Sequence, residues 1–183
     1  MRPDYTDKVN ITIVFLDGTF NYFKNALSTS NDDVLKSHIA KYLTVLTYGS
    51  YESVIKDLIR DFVDQNSKSP LLSHYANKII TDRHQNLDFP ELKGFLNAFD
   101  KSWGQRLDQK FDDRSIECFS NITSEKNIIA HNPNKCEITF SEICDYYEGS
   151  KAIIKYIADI LNSPEGTPPW VNLNNFFKNL PSV

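Results

Sequence analysis

No proline interrupts residues 31–64, and within them Leu35, Ile39, Leu43, Leu46, Ile55, Leu58, Ile59 and Phe62 recur at steps of three and four. That is the period of a helix with one apolar face. A helix of this length must cover its stripe with other elements, which points to an all-α bundle. Asn31 or Ser30 is placed to cap its start, and Gly49 interrupts the run as a bend or a close-packing point. Prolines partition the rest: Pro70, Pro90 and Pro133 divide the middle, and Pro164, Pro168 and Pro169 mark a tail. A short helix is predicted over Leu71 to Asp82, between loops at Ser67–Pro70 and Asn86–Pro90. Residues 91–110 repeat the helical pattern through Leu92, Phe95, Leu96, Phe99 and Trp103. A further helix over 112–131 stops at Asn132-Pro133. Thr139-Phe140-Ser141-Glu142 has the form of a capping box, opening a last helix through Ile143, Tyr146, Tyr147, Ile153, Ile154, Ile157 and Ile160. At the start, Val9, Ile11, Ile13 and Phe15 alternate as in a strand, while Phe15 to Leu27 steps like a helix. A lone strand has nothing to pair with, so helix is predicted there. The expectation is one domain over 1–183: a bundle of five or six helices, its core at about 31–162, with a Pro-rich tail at 163–183.

Composition narrows the function classes. With 183 residues, 40% hydrophobic and 13% aromatic, the chain can bury a real core. A net charge of −4 argues against a broadly basic nucleic-acid clamp but leaves room for a local basic site. The longest apolar run, ITIVFL, falls far short of the roughly 20 residues a membrane helix needs. MRPDYTDK lacks the basic-then-apolar order of a signal peptide. A soluble, cytoplasmic protein without membrane contact is expected. Cys118, Cys136 and Cys144 form no CxxC and read as reduced thiols. Together with His131 they match no familiar zinc spacing. Asp57, Asp61 and Asp64, like Glu142, Asp145 and Glu148, recur as solvated helix surface. Arg83-His84 fits helix C-terminus chemistry. No metal and no cofactor is expected, and there is no Gly-rich phosphate loop or G-x-S-x-G.

The stretch EKNIIAHNPN, residues 125–134, holds the most chemistry. On a helix, Asn127 and His131 lie one turn apart on a face shared with Ser124 and Ile128. Ile116, Phe119, Ile122 and Ile129 form the core line, with Lys126 on or beside it. The residues alone allow two readings. Lys126 snorkels from the edge of the core while His131 ends a helix whose dipole favours it. Alternatively, the mixed second face is a cleft or partner surface.

The order of elements sharpens that choice. A long helix carries Y-x-x-Y-E (Tyr48 to Glu52), variable helices come next, and a penultimate helix ends K-N-I-I-A-H-N before a capped final helix. Over roughly residues 31–162 this resembles the HEPN superfamily, in particular its RiboL-PSP-like stand-alone branch. The family pattern is Arg, then a polar residue, with His four to six positions after the Arg. Lys126 stands in the Arg place, Asn127 in the polar place and His131 in the His place. The resemblance implies a metal-independent endoribonuclease of toxin or anti-phage defence type, working as a homodimer on an RNA substrate, with an antitoxin or defence-system component as a further partner. It implies His131, Lys126 and Asn127 as the catalytic group, supported by Glu52 and Tyr51. An imidazole suits proton transfer near neutral pH. Lysine is a point charge without the planar fork that grips two phosphate oxygens. This departure keeps open an alternative: a catalytically weak or inactive HEPN-like domain that binds RNA or nucleotides or serves protein assembly. Lys126 and His131 also lie about 140° apart on one helix, so two antiparallel copies would bring such groups together better than one.

Overall fold

The computed structural model describes residues 4–67, 69–71, 73, 74, 78 and 87–162. The tail at 163–183, Arg83-His84 and most of the short helix expected over Leu71 to Asp82 lie outside the described residues. Among the described residues, six α-helices of defined extent make up an all-α bundle: α1 (Tyr5–Leu27), α2 (Asp33–Asn66), α3 (Phe89–Phe99), α4 (Lys101–Lys110), α5 (Asp113–His131) and α6 (Phe140–Asn162).

Aspartates start five of them. Asp4, Asp32, Asp88, Asp100 and Asp112 each turn a carboxylate onto a backbone N–H of the first turn, where the helix dipole also favours negative charge. The cap of α2 is therefore Asp32, bonded to the Leu35 N–H at 2.9 Å. The Ser30 hydroxyl accepts from the Asp32 N–H instead, and Asn31 has no capping role. α6 opens with the reciprocal box: the Thr139 N–H donates to Glu142 at 2.8 Å, and the Glu142 N–H donates to Thr139 Oγ1 at 3.2 Å.

Two further expectations change. Residues 91–110 are two helices, split at an extended Asp100 (φ −152°, ψ 125°). Its N–H closes α3 on Leu96 and its carboxylate opens α4 on Ser102, so one residue ends one helix and starts the next. Gly49 is neither bend nor close contact: α2 runs through it, and an added Cβ would meet nothing within 4 Å.

α6 is the hub, packed against α1, α2, α4 and α5, while α2 also packs on α1 and α5. Ile143, Tyr147, Ile153, Ile154 and Ile157 of α6 are fully buried. α5 comes so close that a Cβ on Gly149 would lie 2.6 Å from Cys118 Sγ. α1 is tied in by Tyr147, whose ring stacks on Phe20 at 4.4 Å and whose hydroxyl donates to Asp17 at 2.7 Å. Lys151 reaches the same carboxylate at 3.2 Å. Burial of Asp17 raises its carboxyl pKa, but hydrogen bonds from Tyr147 and Lys151 outweigh this and leave it below the usual carboxylate value. Phe62, Phe99 and Trp103 join the end of α2 to α3 and α4 through edge and stacked contacts. Among the described residues no helix is long and apolar enough to cross a membrane.

Candidate functional site

α5 carries the KNIIAH stretch on its last turns. Its inner face, Cys118, Phe119, Ile122 and Thr123, is buried. That face fixes the helix rotation, which brings Lys126 to the side facing α2. There the Lys126 ammonium sits 4.4 Å from the centre of the Tyr48 ring, a cation–π distance. It also donates to the Asn127 side-chain oxygen at 3.3 Å.

Tyr48 is itself pinned. Its hydroxyl accepts from the Leu87 N–H at 3.0 Å, and the Leu87 carbonyl accepts from the Thr123 hydroxyl at 3.1 Å. The backbone at Leu87 is thus bracketed by α2 and α5 just before Asp88 starts α3. Burial pushes the Tyr48 phenol above its ordinary pKa, so it stays a neutral ring beneath the ammonium.

The other residues of Y-x-x-Y-E take different places. Tyr51 is 3% exposed, stacks on Phe119 at 6.0 Å and shares a hydrogen bond with Ser150 at 3.1 Å. It belongs to the core beneath the site. Glu52 pairs with Lys56 on its own helix at 2.6 Å, and its charge also acts on Tyr48. Tyr48, Tyr51, Glu52, Leu87 and Thr123 help line a cavity of about 10 Å³, scarcely room for one water.

His131 is the last residue of α5 and is exposed. The Asn132 N–H closes the helix on the Ile128 carbonyl at 2.7 Å, and a 3₁₀ turn comes next over Pro133–Lys135. The Lys41 ammonium, from α2, donates to the Pro133 carbonyl at 2.8 Å. Lys41 is a residue that sequence reasoning missed. Its signal was a seven-residue step to Tyr48, which puts both on one side of α2, but only the fold shows that this side faces α5. Lys126, Asn127 and the exposed His131 thus lie on the last turns of α5, with Lys41 bonded to the turn beyond them, in a chain whose overall charge is negative.

Most of the remaining candidates are engaged elsewhere. Asp57 pairs with Arg60 and Asp61 with Lys8, the Glu142 carboxylate accepts from the Thr139 N–H and hydroxyl, and Glu148 pairs with Lys151. The Cys136 thiol donates to Glu125 at 3.4 Å, and burial raises the pKa of all three cysteines. Among the described residues no three His, Cys, Asp or Glu side chains converge as a metal site would require.

Comparison with curated proteins and with solved structures gives no match. The family comparison does: the model of the RiboL-PSP-HEPN family matches residues 18–163. The matched span begins within α1 and takes in every later helix, including the Lys126–His131 turn and the capped α6 beyond it. The chain therefore belongs to the RiboL-PSP-HEPN family of helical domains.

Proposed function

We propose that this protein is a metal-independent endoribonuclease, acting as a homodimer in a toxin or anti-phage defence setting. Its reacting groups are His131, Lys126 and Asn127. Support comes from the arrangement at the outer end of α5, where an exposed imidazole comes after a lysine held in one position by the Tyr48 ring.

In this reading the RNA backbone lies across the helix end. A base removes the proton of a 2′-hydroxyl, whose oxygen attacks the adjacent phosphorus. An acid returns a proton to the departing 5′-oxygen. The products are a 2′,3′-cyclic phosphate and a free 5′-hydroxyl, with no net change in protons. His131 carries one transfer, and the second copy's imidazole supplies the other. Lys126 and Lys41 lower the charge on the phosphate, and Asn127 orients Lys126 or bonds a phosphate oxygen. Tyr51 and Glu52 support the site from below, through Phe119 and through the charge beside Tyr48.

A second reading has its own observation. The Lys126 ammonium already faces a ring and an amide oxygen, and it lacks the fork of an arginine. Such a site suits binding of RNA or a nucleotide without cleavage, or protein assembly. Expression in growing cells separates the two. Cleavage predicts growth arrest with fragmented RNA, abolished by His131→Ala. Normal growth with intact RNA favours the binding module, and a gain of cleavage in Lys126→Arg would then mark a complete site weakened only at that position.

A further inference from the structure

Large exposed apolar side chains are not scattered over this molecule. Among the described residues, all but Leu71 belong to α1 and α2. These two helices form an antiparallel hairpin: the Tyr5 hydroxyl donates to Gln65 at one end, at 3.0 Å, and the Phe23 ring meets Tyr42 toward the other, at 5.9 Å. On its solvent side lies an open groove of about 790 Å³, walled by Ile11 and Phe15 of α1 and by Tyr42, Val45 and Gly49 of α2. The apolar area continues beyond the groove. Val14 lies one turn from Ile11 on α1, and Tyr22 reaches Tyr42 through the Phe23 ring, which it meets at 5.3 Å. Singly exposed apolar residues need no explanation, but a contiguous groove of them does.

Charge and area narrow what can cover it. The charged residues of the groove, Lys8 and Asp57, are already paired with Asp61 and Arg60 of the same chain. Nothing in the groove therefore favours a phosphate backbone, and an apolar partner strands no charge by covering it. Ile11, Val14, Phe15, Tyr22, Tyr42 and Val45 are 45–71% exposed. Together they present on the order of 600 Å² of surface, against about 800 Å² per partner in a standard stable interface. A pair built on that area would separate on dilution, as the smaller interfaces do.

Bulk and space occur on this one face. Ile11 and Phe15 are large, while Gly49, Ser50 and Ser53 also line the groove and are small, and an added Cβ on Gly49 would meet nothing within 4 Å. A face that carries both halves of a fit can pair with its own copy about a two-fold axis, and such a pair closes on itself. Two hairpins face to face make a four-helix bundle, with the groove side chains as its core. When the axis crosses the helices, α1 and α2 run antiparallel to their copies, and the two α5 helices stay on one flank of the pair. Tyr48 and Gly49 are neighbours about 100° apart around α2, so the second copy lies beside the Lys126 site.

We propose that the α1/α2 groove is the surface on which two copies of this chain pair, with Phe15 of each copy entering the space over Gly49, Ser50 and Ser53 of the other. Pairing is read from this face alone; only the use of the pair rests on the proposed function. Copies that pair through the groove while RNA stays intact would refute the catalytic reading and leave the interface standing.

Sedimentation of the full chain tests it, over a range of about 1–100 μM so that mass action shows. The mass should rise from one 21.1 kDa chain to two. Phe15→Glu should raise the dissociation constant about 30-fold or more at unchanged helical content. Tyr22→p-benzoylphenylalanine, which keeps an aromatic ring at an exposed position, then locates the contact without disturbing the groove. Isotopically light and heavy chains are mixed before irradiation, and the links are mapped by mass spectrometry. The expected product joins position 22 of one chain to α1 or α2 of the other. A single-chain mass over the whole range would overturn the proposal. So would a pair that Phe15→Glu leaves intact, or one that yields no light-to-heavy link to α1 or α2, because another face would then hold the copies together.

Discussion

The two long sides of α2 differ in how they are finished. Toward α5, Lys41, Tyr48 and Glu52 are each held by a specific partner: the Pro133 carbonyl, the Leu87 N–H and Lys56. Toward α1's outer stripe, Tyr42, Val45 and Gly49 border an open groove. The first side is built from directional bonds, which fix where a charge points. The second is built from apolar area, which asks only for a cover. In the proposed function the chemistry falls to the α5 end, while the groove is apolar surface, although one helix borders both.

Substitutions can break this contrast. The largest effect is expected at Phe119, buried under the site against Tyr51 and Phe89. Phe119→Ala should cost about 3–5 kcal/mol in urea denaturation and loosen the end of α5 with it. Next is Tyr48. Tyr48→Phe keeps the ring under Lys126 but leaves the Leu87 N–H without its acceptor, at about 1–3 kcal/mol. Tyr48→Leu should lose more, because the cation–π contact goes too. Equal losses in the two variants would show that the ring does not hold Lys126.

A smaller effect concerns acid. The Asp17 carboxyl is held below its usual pKa in the folded state, so its contribution is fully present above the unfolded value of about 3.9 and is lost as pH falls through the lower folded value. Wild type should lose stability over that interval, and Asp17→Asn should follow a flatter curve there. The smallest effect belongs to the groove. Phe15→Ser and Val45→Ser should change bundle stability by no more than about 0.5 kcal/mol, because those side chains are already half exposed. A loss as large as that at Phe119 would mean that this face is core.

How much of this was legible depended on range. The period of α2, the stop at Asn132-Pro133 and the Thr139–Glu142 box are local signals, and the fold repeats them. The α3/α4 split was hidden, because Leu92, Phe95, Leu96, Phe99 and Trp103 keep helical spacing across it while the break rests on the backbone at Asp100. The strand-like alternation of Val9, Ile11, Ile13 and Phe15 has a plain cause. Val9 and Ile13 point into the core and Ile11 and Phe15 point away from it, so two helical stripes interleave into a false period of two. At the candidate site, Lys126, Asn127 and His131 are candidates from their order on one helix and the resemblance that order carries. Tyr48 beneath Lys126 and Lys41 beside Pro133 could not be read that way, since each contact joins residues far apart in sequence.

The central claim is that His131 transfers a proton in RNA cleavage. Its most direct test is the cleavage rate of a single-stranded RNA by the purified wild-type protein and by His131→Ala, with chelator present and the product ends identified. The account predicts 2′,3′-cyclic phosphate and 5′-hydroxyl ends for wild type, and a rate about 10²–10⁴-fold lower for His131→Ala. Intact RNA with wild type, or equal rates for the two proteins, would contradict it.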